Sequence, residues 1–268
     1  MNKYIIGTIA LGTAAAGWLL WGNSALTKTH ITVESTALPR SFDGFRIAHI
    51  TDLHNTRFAK LPALVTEAKP DIIAITGDLI DARRPGMDAA LDTIQQLLHI
   101  APCYYVMGNH ESRIPEYPAL ETALQQLGVY VLRNEAIELE RSGEYLTVIG
   151  VDDPSISPDF ADTVSTQRGS ARGFTMLLSH RPERFAAYCS AGIDLALCGH
   201  AHGGQVRIPL IGGVIAPHQG FFPEYDSGLY TDGKTNMVLS RGLGNSLCPL
   251  RVNNRPELVV VDLNSKRL

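Results

Sequence analysis

Seven side chains of metal-binding type follow apolar runs at five places in the sequence. The segments are HITDLH, ITGDL, VMGNH, LLSH and LCGHAH, and the side chains are Asp52, His54, Asp78, Asn109, His180, His200 and His202. Carboxylate, amide and imidazole donors without thiolates suit Mn, Fe, Mg or Zn that serves in hydrolysis. Seven donors exceed what one ion needs, so the sequence predicts two divalent metal ions.

The spacing within these segments predicts which side chains act together. Side chains two residues apart point the same way in an extended chain, so Asp52 and His54 can hold one ion, as can His200 and His202. Adjacent side chains diverge, so Asn109 should reach a metal while His110 turns toward the substrate.

A glycine immediately precedes a predicted ligand at Gly77, Gly108 and Gly199. A residue without Cβ lets the backbone turn sharply out of a strand. We therefore expect these glycines to aim the ligands.

The five segments resemble the blocks of the calcineurin-like metallophosphoesterase family, which run Asp-x-His, Gly-Asp, Gly-Asn-His-Asp/Glu, His and Gly-His-x-His in this order. The match spans Ile47 to His202, and five ordered blocks are far more specific than one short motif. GHAHGGQ and the apolar N-terminal segment resemble the membrane-anchored branch of that family.

This resemblance implies the arrangement of the site. One ion would be held by Asp52, His54, Asp78 and His202, and the other by Asp78, Asn109, His180 and His200, with Asp78 as the bridge. Mn or Fe is favoured over Zn or Mg. The expected reaction is hydrolysis of a phosphoester or pyrophosphate bond by metal-activated hydroxide, with His110 stabilising the developing charge or protonating the leaving group. Glu111 stands where many relatives have Asp, and with Asp81 it is a candidate for orienting the ligands.

Single residues support other interpretations. Asp78 alone could be a helix cap or turn residue, and His180 before Arg181 could begin a helix. His49 is expected to pack in a strand, whereas His218 lies in a Gly, Pro and aromatic-rich loop that could form one wall of the site. The joint pattern carries the metal prediction.

One motif is set aside. GLYTDGKT, from Gly228 to Thr235, matches the Walker A pattern, which requires a preceding strand and a following helix. Here a strand-like run follows, and Asp232-Gly233 is a favoured turn, so we expect a hairpin.

Composition favours one enzyme domain. The chain has 268 residues, with 23 basic and 27 acidic residues giving a formal charge of -4. No basic run is present, so a nucleic-acid partner is not expected. The four cysteines have no paired spacing, so they do not indicate a disulfide framework. The protein is expected to be a monomer.

The N-terminal segment predicts a membrane anchor. No charged residue occurs from Tyr4 to Thr27, a length that can cross a bilayer, and Trp18 and Trp21 lie at its far end. A cleaved signal peptide ending near Ala16 and a buried core helix are the alternatives. The expectation is a single-pass membrane protein with an extracytoplasmic catalytic domain: anchor 1–27, linker 28–44 and phosphoesterase domain 45–268.

An anchor favours a lipid-linked or amphiphilic phosphoester or pyrophosphate. The family resemblance implies a UDP-diacyl-sugar as one such substrate, because related proteins include hydrolases of sugar-nucleotide lipids. A broad phosphodiesterase or nucleotidase acting on soluble substrates is the alternative, and an inert membrane scaffold is a third.

Alternation of strands and helices predicts an α/β fold with a mainly parallel sheet and ligands at the carboxyl ends of its strands. QVRIPL, NMVLS and ELVVVDL are expected to form strands of a second sheet. The resemblance implies a four-layer αββα sandwich of two facing mixed β-sheets flanked by helices.

Overall fold

A computed structural model of the chain describes residues 3–246 and 248–267. Its α-helices are α1 (Lys3–Ser24), α2 (Leu61–Ala68), α3 (Asp88–Leu98), α4 (Tyr117–Leu127), α5 (Phe160–Ser170) and α6 (Phe185–Ala191). Its strands are β1 (Thr27–Ser35), β2 (Phe45–Ile50), β3 (Ile72–Thr76), β4 (Cys103–Val106), β5 (Tyr130–Val131), β6 (Glu135–Arg141), β7 (Glu144–Gly150), β8 (Phe174–Leu178), β9 (Leu195–Cys198), β10 (Arg207–Ile208), β11 (Gly212–Gly213), β12 (Ile215–Ala216), β13 (Gly220–Phe221), β14 (Gly228–Asp232), β15 (Thr235–Leu239) and β16 (Glu257–Ser265).

Two six-stranded mixed sheets form the centre of the described residues. The first has the order β1-β16-β2-β3-β4-β5, and the second has the order β14-β15-β9-β8-β7-β6. Strands β2 to β5 run parallel to one another, and β16 is antiparallel to β2. In the second sheet β7, β8, β9 and β15 are parallel, while β6 and β14 are antiparallel to their neighbours.

Apolar layers on both faces of each sheet produce four layers. Ile47 of β2 and Val148 of β7 belong to one buried cluster between the sheets. Helices α2 to α4 cover the outer face of the first sheet through residues such as Ile94. Helices α5 and α6 cover the outer face of the second sheet through residues such as Tyr188. The predicted αββα sandwich is confirmed.

The late strands join different sheets from those expected. ELVVVDL lies in β16, between β1 and β2 of the first sheet, and NMVLS lies in β15 beside β9. QVRIPL contributes β10 to a small hairpin outside both sheets. The prediction that these segments share a second sheet is wrong, because an apolar run shows that a strand is buried but not which neighbour it pairs with.

The Walker-like segment is a hairpin, as predicted, but its turn lies one residue later than the expected Asp232-Gly233. Strands β14 and β15 pair antiparallel, with Asp232 opposite Thr235, so Gly233 and Lys234 form the turn. The structure thus has a strand where a phosphate-binding loop requires a helix.

The N-terminal region differs from the predicted anchor and linker. In the part of the chain that the structure describes, no helix combines the length and the apolarity needed to cross a bilayer. The prediction of a single-pass membrane protein with an extracytoplasmic domain is therefore wrong. Met1 and Asn2 of the predicted anchor lie outside the described residues.

The residues after α1 belong to the folded domain. Strand β1, which from Lys28 onward lies in the stretch assigned to a linker, pairs in parallel with β16 along its whole length. Asn23 at the end of α1 accepts hydrogen bonds from the backbone N–H of Arg251 (2.7 Å) and from Asn245 (3.1 Å).

Candidate metal centre

The predicted ligands converge at one edge of the sandwich, where strands of both sheets end. They follow five strands: Asp52 and His54 follow β2, Asp78 follows β3, Asn109 follows β4, His180 follows β8, and His200 and His202 follow β9. All seven are buried. Predicted ligands as far apart in sequence as Asp52 and His202 therefore lie close together, because parallel strands bring their carboxyl ends to the same side of each sheet.

Asp52, His54 and His202 form a first cluster. Nε2 of His202 lies 3.3 Å from Oδ1 of Asp52 and 3.3 Å from Nε2 of His54. Nε2 of His54 lies 3.8 Å from the same Asp52 oxygen. A carboxylate oxygen and two imidazole nitrogens thus face a common point.

Asp78, His180 and His200 form a second cluster, beside Asn109. Nε2 of His180 is 3.2 Å from Oδ2 of Asp78, 3.2 Å from Oδ1 of Asn109 and 3.2 Å from Nδ1 of His200. Oδ2 of Asp78 is also 3.7 Å from Nε2 of His54 in the first cluster. This oxygen lies between the clusters, as a bridging ligand would.

Each carboxylate has one oxygen fixed by the protein and one directed into the site. Oδ2 of Asp52 accepts hydrogen bonds from the Thr51 hydroxyl (2.9 Å) and the His200 N–H (3.0 Å). Its Oδ1 has no hydrogen-bond partner among the described residues. Oδ1 of Asp78 accepts from the His110 N–H (2.9 Å), which leaves Oδ2 for the site. A buried carboxylate oxygen without a donor fits a cation.

His180 is held in the tautomer that a metal requires. Its Nδ1 donates to the carbonyl of Thr76 (2.7 Å), so the lone pair of the neutral ring is on Nε2, which faces Asp78. Burial lowers the pKa of His180, but the neighbouring Asp78 carboxylate more than offsets this and raises the pKa to about 10.

The carboxylates stay ionised in this environment. Burial raises the pKa of Asp52, yet His202, His54 and His180 outweigh it and hold the pKa below its usual value. Burial lowers the pKa of His202 to about 3, so that imidazole is neutral at physiological pH and has a lone pair available. Anionic oxygens and neutral imidazoles are the donors that Mn, Fe or Zn binds.

Left-handed backbone places the ligands, where the spacing argument assumed an extended chain. Asp52, His54, Asp78, His200 and His202 all have φ between 46° and 72°. His200 and His202 lie in different clusters, so the expectation from spacing that they share an ion is wrong, whereas Asp52 and His54, with similar φ, lie in the same cluster. The separation agrees with the assignment that the family resemblance implies.

Hydrogen bonds between adjacent loops stabilise this unusual backbone. The N–H of Asp52 donates to Gly77 O, and the N–H of His54 donates to Asp78 O, both at 3.0 Å. Left-handed conformations cost about 1–3 kcal/mol each and persist only where neighbouring structure imposes them.

The three glycines that precede predicted ligands are required for two different structural reasons. Gly77 has φ +85°, as a turn out of the strand predicts. At Gly108 a Cβ would lie 2.1 Å from Oδ1 of Asp78, and at Gly199 it would lie 2.0 Å from Oγ1 of Thr51. These two glycines allow close approach of a ligand loop rather than a turn.

His110 diverges from Asn109 and lines the adjoining cleft. Its Nδ1 accepts a hydrogen bond from the Ala82 N–H (2.9 Å), so the neutral ring has its proton on Nε2. Nε2 lies 3.2 Å from the Ser246 hydroxyl and 3.9 Å from Oδ2 of Asp78. Burial lowers the pKa of His110, although Asp78 opposes the shift. Neutral His110 presents an N–H donor to the cleft.

Glu111 supports the ligand loops from beneath. Its carboxylate is fully buried and accepts hydrogen bonds from the N–H groups of Gly108 (2.8 Å), Asp78 (2.9 Å) and Ile80 (3.0 Å). Burial, together with the Asp78 charge, raises the pKa of Glu111 to about 7. The other candidate, Asp81, pairs with Arg83 and lies 3.5 Å from Nδ1 of His110.

Residues outside the five blocks complete the surroundings of His200. Asp153 follows β7 and binds the buried Arg181 guanidinium through Nε (2.5 Å) and Nη2 (2.9 Å). Nη1 of Arg181 reaches His200 and His218. The sequence analysis gave Arg181 and Asp153 no role at the site, although the position of Asp153 at the end of the apolar run LTVIGVDD was a usable signal.

A cleft of about 490 Å³ opens above the clusters. Asn109, His110, His200 and His202 form its polar floor, and Ile215, Ala216 and Pro217 form an apolar wall. His218 also lines it, so the loop that the sequence marked as a possible wall lies at the site.

The chain matches the family model described as calcineurin-like phosphoesterase over residues 45–204. It is 32% identical to the uncharacterized metallophosphoesterase YkuE of Bacillus subtilis, over 98% of this chain and 96% of that protein. It is also 32% identical to the phosphodiesterase YaeI of Escherichia coli, over 82% of each chain.

Among solved structures, the sulfate thiohydrolase SoxB of Thermus thermophilus superposes with a TM-score of 0.53 at 13% identity, covering 85% of this chain and 58% of that one. That likeness concerns the fold. The match to the family model and the near full-length similarity to YkuE establish that this chain belongs to the calcineurin-like phosphoesterase family and is a metal-dependent phosphoester hydrolase.

Proposed function

We propose that the enzyme hydrolyses phosphodiesters at a centre of two divalent ions. Asp52, His54 and His202 would hold one ion, Asn109, His180 and His200 would hold the other, and Asp78 would bridge them. The observation that carries this proposal is the position of Asp78 Oδ2, 3.2 Å from Nε2 of His180 and 3.7 Å from Nε2 of His54. Two such ions, when bound, acidify water and neutralise charge on the phosphate oxygens.

The protein's own groups would orient the substrate. His110 donates from Nε2 toward the cleft and is placed to stabilise charge on a phosphate or leaving-group oxygen. Ser246, 3.2 Å from that nitrogen, holds the ring in this orientation. Glu111 fixes the loops of Asp78 and Asn109, so these ligands keep their positions as substrate binds.

The cleft supports a diester rather than a monoester. It extends beyond the ligands to the wall of Ile215, Ala216 and Pro217, which gives a second ester group a place to bind. The similarity to YaeI, which is named a phosphodiesterase, supports the same choice.

The test of this activity is a comparison of two chromogenic substrates. Protein stripped of metal and reloaded with Mn²⁺ should hydrolyse bis-p-nitrophenyl phosphate faster than p-nitrophenyl phosphate. Asp78→Asn should abolish both activities. Hydrolysis of the diester by metal-free protein would overturn the proposal, as would a preference for the monoester. Failure of metal-loaded protein on both substrates would favour the inert scaffold.

The wall also bears on the substrate class. Each buried CH₂ contributes about 0.8 kcal/mol, so an apolar ester group in contact with Ile215 would improve binding. The predicted membrane anchor no longer supports a lipid-linked substrate. The apolar wall of the cleft supports such a substrate instead. The diester p-nitrophenyl octyl phosphate should therefore be hydrolysed with a higher kcat/KM than p-nitrophenyl methyl phosphate. The substitution Ile215→Ser should reduce this difference in kcat/KM. Equal values for the two diesters would favour a broad phosphodiesterase acting on soluble substrates.

A further inference from the structure

The hydroxyl of Ser246 lies beside the metal centre, although none of the five sequence blocks contains this residue. Ser246 lines the same cleft as His110 and follows β15 by seven residues. Its Oγ is 3.2 Å from Nε2 of His110, and that nitrogen is 3.9 Å from Oδ2 of Asp78, the proposed bridge between the ions. The hydroxyl is therefore close to the place where the ions would hold a phosphate.

The contact between Ser246 and His110 has a direction that the backbone fixes. The N–H of Ala82 approaches Nδ1 of His110 at 2.9 Å. A backbone N–H can only donate, so Nδ1 must offer a lone pair and the proton of the ring is on Nε2. His110 therefore donates its Nε2–H to the oxygen of Ser246.

A second donor reaches the same oxygen. Nη2 of Arg83 is 3.1 Å from Oγ of Ser246, and a guanidinium carries only donors. The other hydrogen of Nη2 is directed to Oδ2 of Asp81 at 2.9 Å, and Nε of Arg83 donates to Oδ1 of the same carboxylate at 3.2 Å. Asp81 thus holds the Arg83 guanidinium in the orientation that reaches Ser246.

These two contacts determine what the Ser246 hydroxyl can still do. A hydroxyl has two lone pairs and one hydrogen, and His110 and Arg83 occupy both lone pairs. Its O–H must therefore donate, and no described residue accepts a hydrogen bond from it. Water can accept this bond in the free enzyme, and a bound ligand with a suitable acceptor would replace that water.

The surroundings of this donor favour an anionic acceptor. Hydrogen bonds in a chain polarise one another, so an O–H whose oxygen accepts from a guanidinium is a stronger donor. An ionised acceptor forms the strongest bond with such a donor. Among the described residues that line the cleft, none is Asp or Glu, so no lining carboxylate repels an anion. A phosphate oxygen fits all of these conditions.

We propose that Ser246 is a substrate-contacting residue: its hydroxyl donates a hydrogen bond to an oxygen of the phosphate group that the ions hold. This inference rests on the proposed dinuclear function. It places one substrate contact on the loop after β15, apart from the loops that carry the predicted ligands.

The experiment is calorimetric titration of the Mn²⁺-loaded full-length protein with inorganic phosphate, together with kcat/KM for p-nitrophenyl methyl phosphate. Ser246→Ala should weaken phosphate binding and lower kcat/KM, each by about 10- to 100-fold, the usual effect of losing a hydrogen bond to a charged group. Metal content should stay at the parental value, because no hydrogen bond joins Ser246 to a predicted ligand among the described residues.

A double-mutant cycle separates a direct contact from an effect on His110. If Ser246 only held the His110 ring, Ser246→Ala would cause no further loss of phosphate affinity in a His110→Ala background. A direct contact predicts a further loss of about tenfold or more in that background. Ser190→Ala removes an exposed hydroxyl on α6 that donates to Ala186 O, and it should behave as the parent does.

Parental phosphate affinity in Ser246→Ala would overturn the inference, and so would the absence of a further loss in the His110→Ala background. A parent protein that binds Mn²⁺ but does not hydrolyse diesters would instead contradict the proposed function on which the inference rests.

Discussion

The backbone N–H of His200 donates a hydrogen bond to Oδ2 of Asp52 at 3.0 Å. The two residues are 148 positions apart and follow strands of different sheets. Because this bond and the Thr51 hydroxyl occupy Oδ2, the other oxygen of Asp52 is directed to His202. The metal centre is thus built across the junction of the sheets, and small displacements at that junction should disturb metal binding.

Gly199→Ala tests this dependence. The new Cβ would lie 2.0 Å from Oγ1 of Thr51 and 2.6 Å from Oδ2 of Asp52, so the two loops would have to separate. We expect Mn²⁺ affinity to fall by at least about tenfold, comparable with the loss of a partner of a ligand. Gly86→Ala is the control, because a Cβ there meets nothing within 4 Å. Parental affinity in Gly199→Ala would show that the junction tolerates movement.

His110→Ala should separate catalysis from metal binding. The side chain donates toward the cleft and is not needed for either set of ligands, so turnover should fall by about a hundredfold or more while metal content stays at the parental value. Asn109→Ala should instead weaken metal binding. Loss of an ion from His110→Ala, measured by elemental analysis, would make His110 a ligand, a role that its distance of 3.9 Å from Oδ2 of Asp78 permits.

Glu111→Ala should destabilise the protein strongly. Three buried N–H groups, those of Gly108, Asp78 and Ile80, would lose their acceptor. Each unsatisfied buried donor costs about 1–3 kcal/mol, so the free energy of unfolding should fall by at least about 3 kcal/mol. Urea denaturation of metal-free protein measures this, with the exposed Glu140→Ala as control. A loss below about 1 kcal/mol would mean that water replaces the carboxylate.

His49 should make stability depend on pH. It is fully buried, its Nε2 lies 2.8 Å from the Thr76 hydroxyl, and burial lowers its pKa from 6.5 to about 4. Between pH 6.5 and pH 4, His49 is protonated in the unfolded chain but stays neutral in the folded protein. Stability should therefore fall as the pH drops from 6.5 to 4, by about 1.4 kcal/mol per unit at most from this group.

The non-titrating variant His49→Gln isolates this contribution. Denaturation midpoints of the metal-free parent and of His49→Gln, compared between pH 7 and pH 4.5, should converge as the pH falls, because only the parent loses this contribution. Parallel curves for the two proteins would show that His49 does not titrate in this range.

The sequence could predict that the seven candidate ligands lie close together, because each of them follows within four residues of the end of a strand. A parallel strand must be apolar on both faces, and its carboxyl end must carry the polar residues of the site, so runs such as DIIAITG before Asp78 mark both features. The sequence of α4 also contains a helix signal, since its leucines recur at helical spacing and Gly128, with φ +96°, follows its last residue.

Other features depend on geometry that a linear pattern does not contain. His200 and His202 lie in different clusters although an extended chain would align them, and no residue pattern marks their left-handed φ. The partner of β16 depends on the packing of the whole sheet, so an apolar run could not identify it. The contact of Arg181 with His218 joins a residue after β8 to a loop 37 positions later, and only the fold brings them together.

The number of ions per chain tests the central claim most directly. Protein stripped of metal and reloaded with Mn²⁺ should retain about two ions per chain by elemental analysis, in the coupled form that electron paramagnetic resonance recognises, since a bridging Asp78 would hold them a few ångströms apart. Asp78→Asn should reduce the affinity for both. One tightly held ion that supports full activity, with the coupled signal absent, would contradict the account.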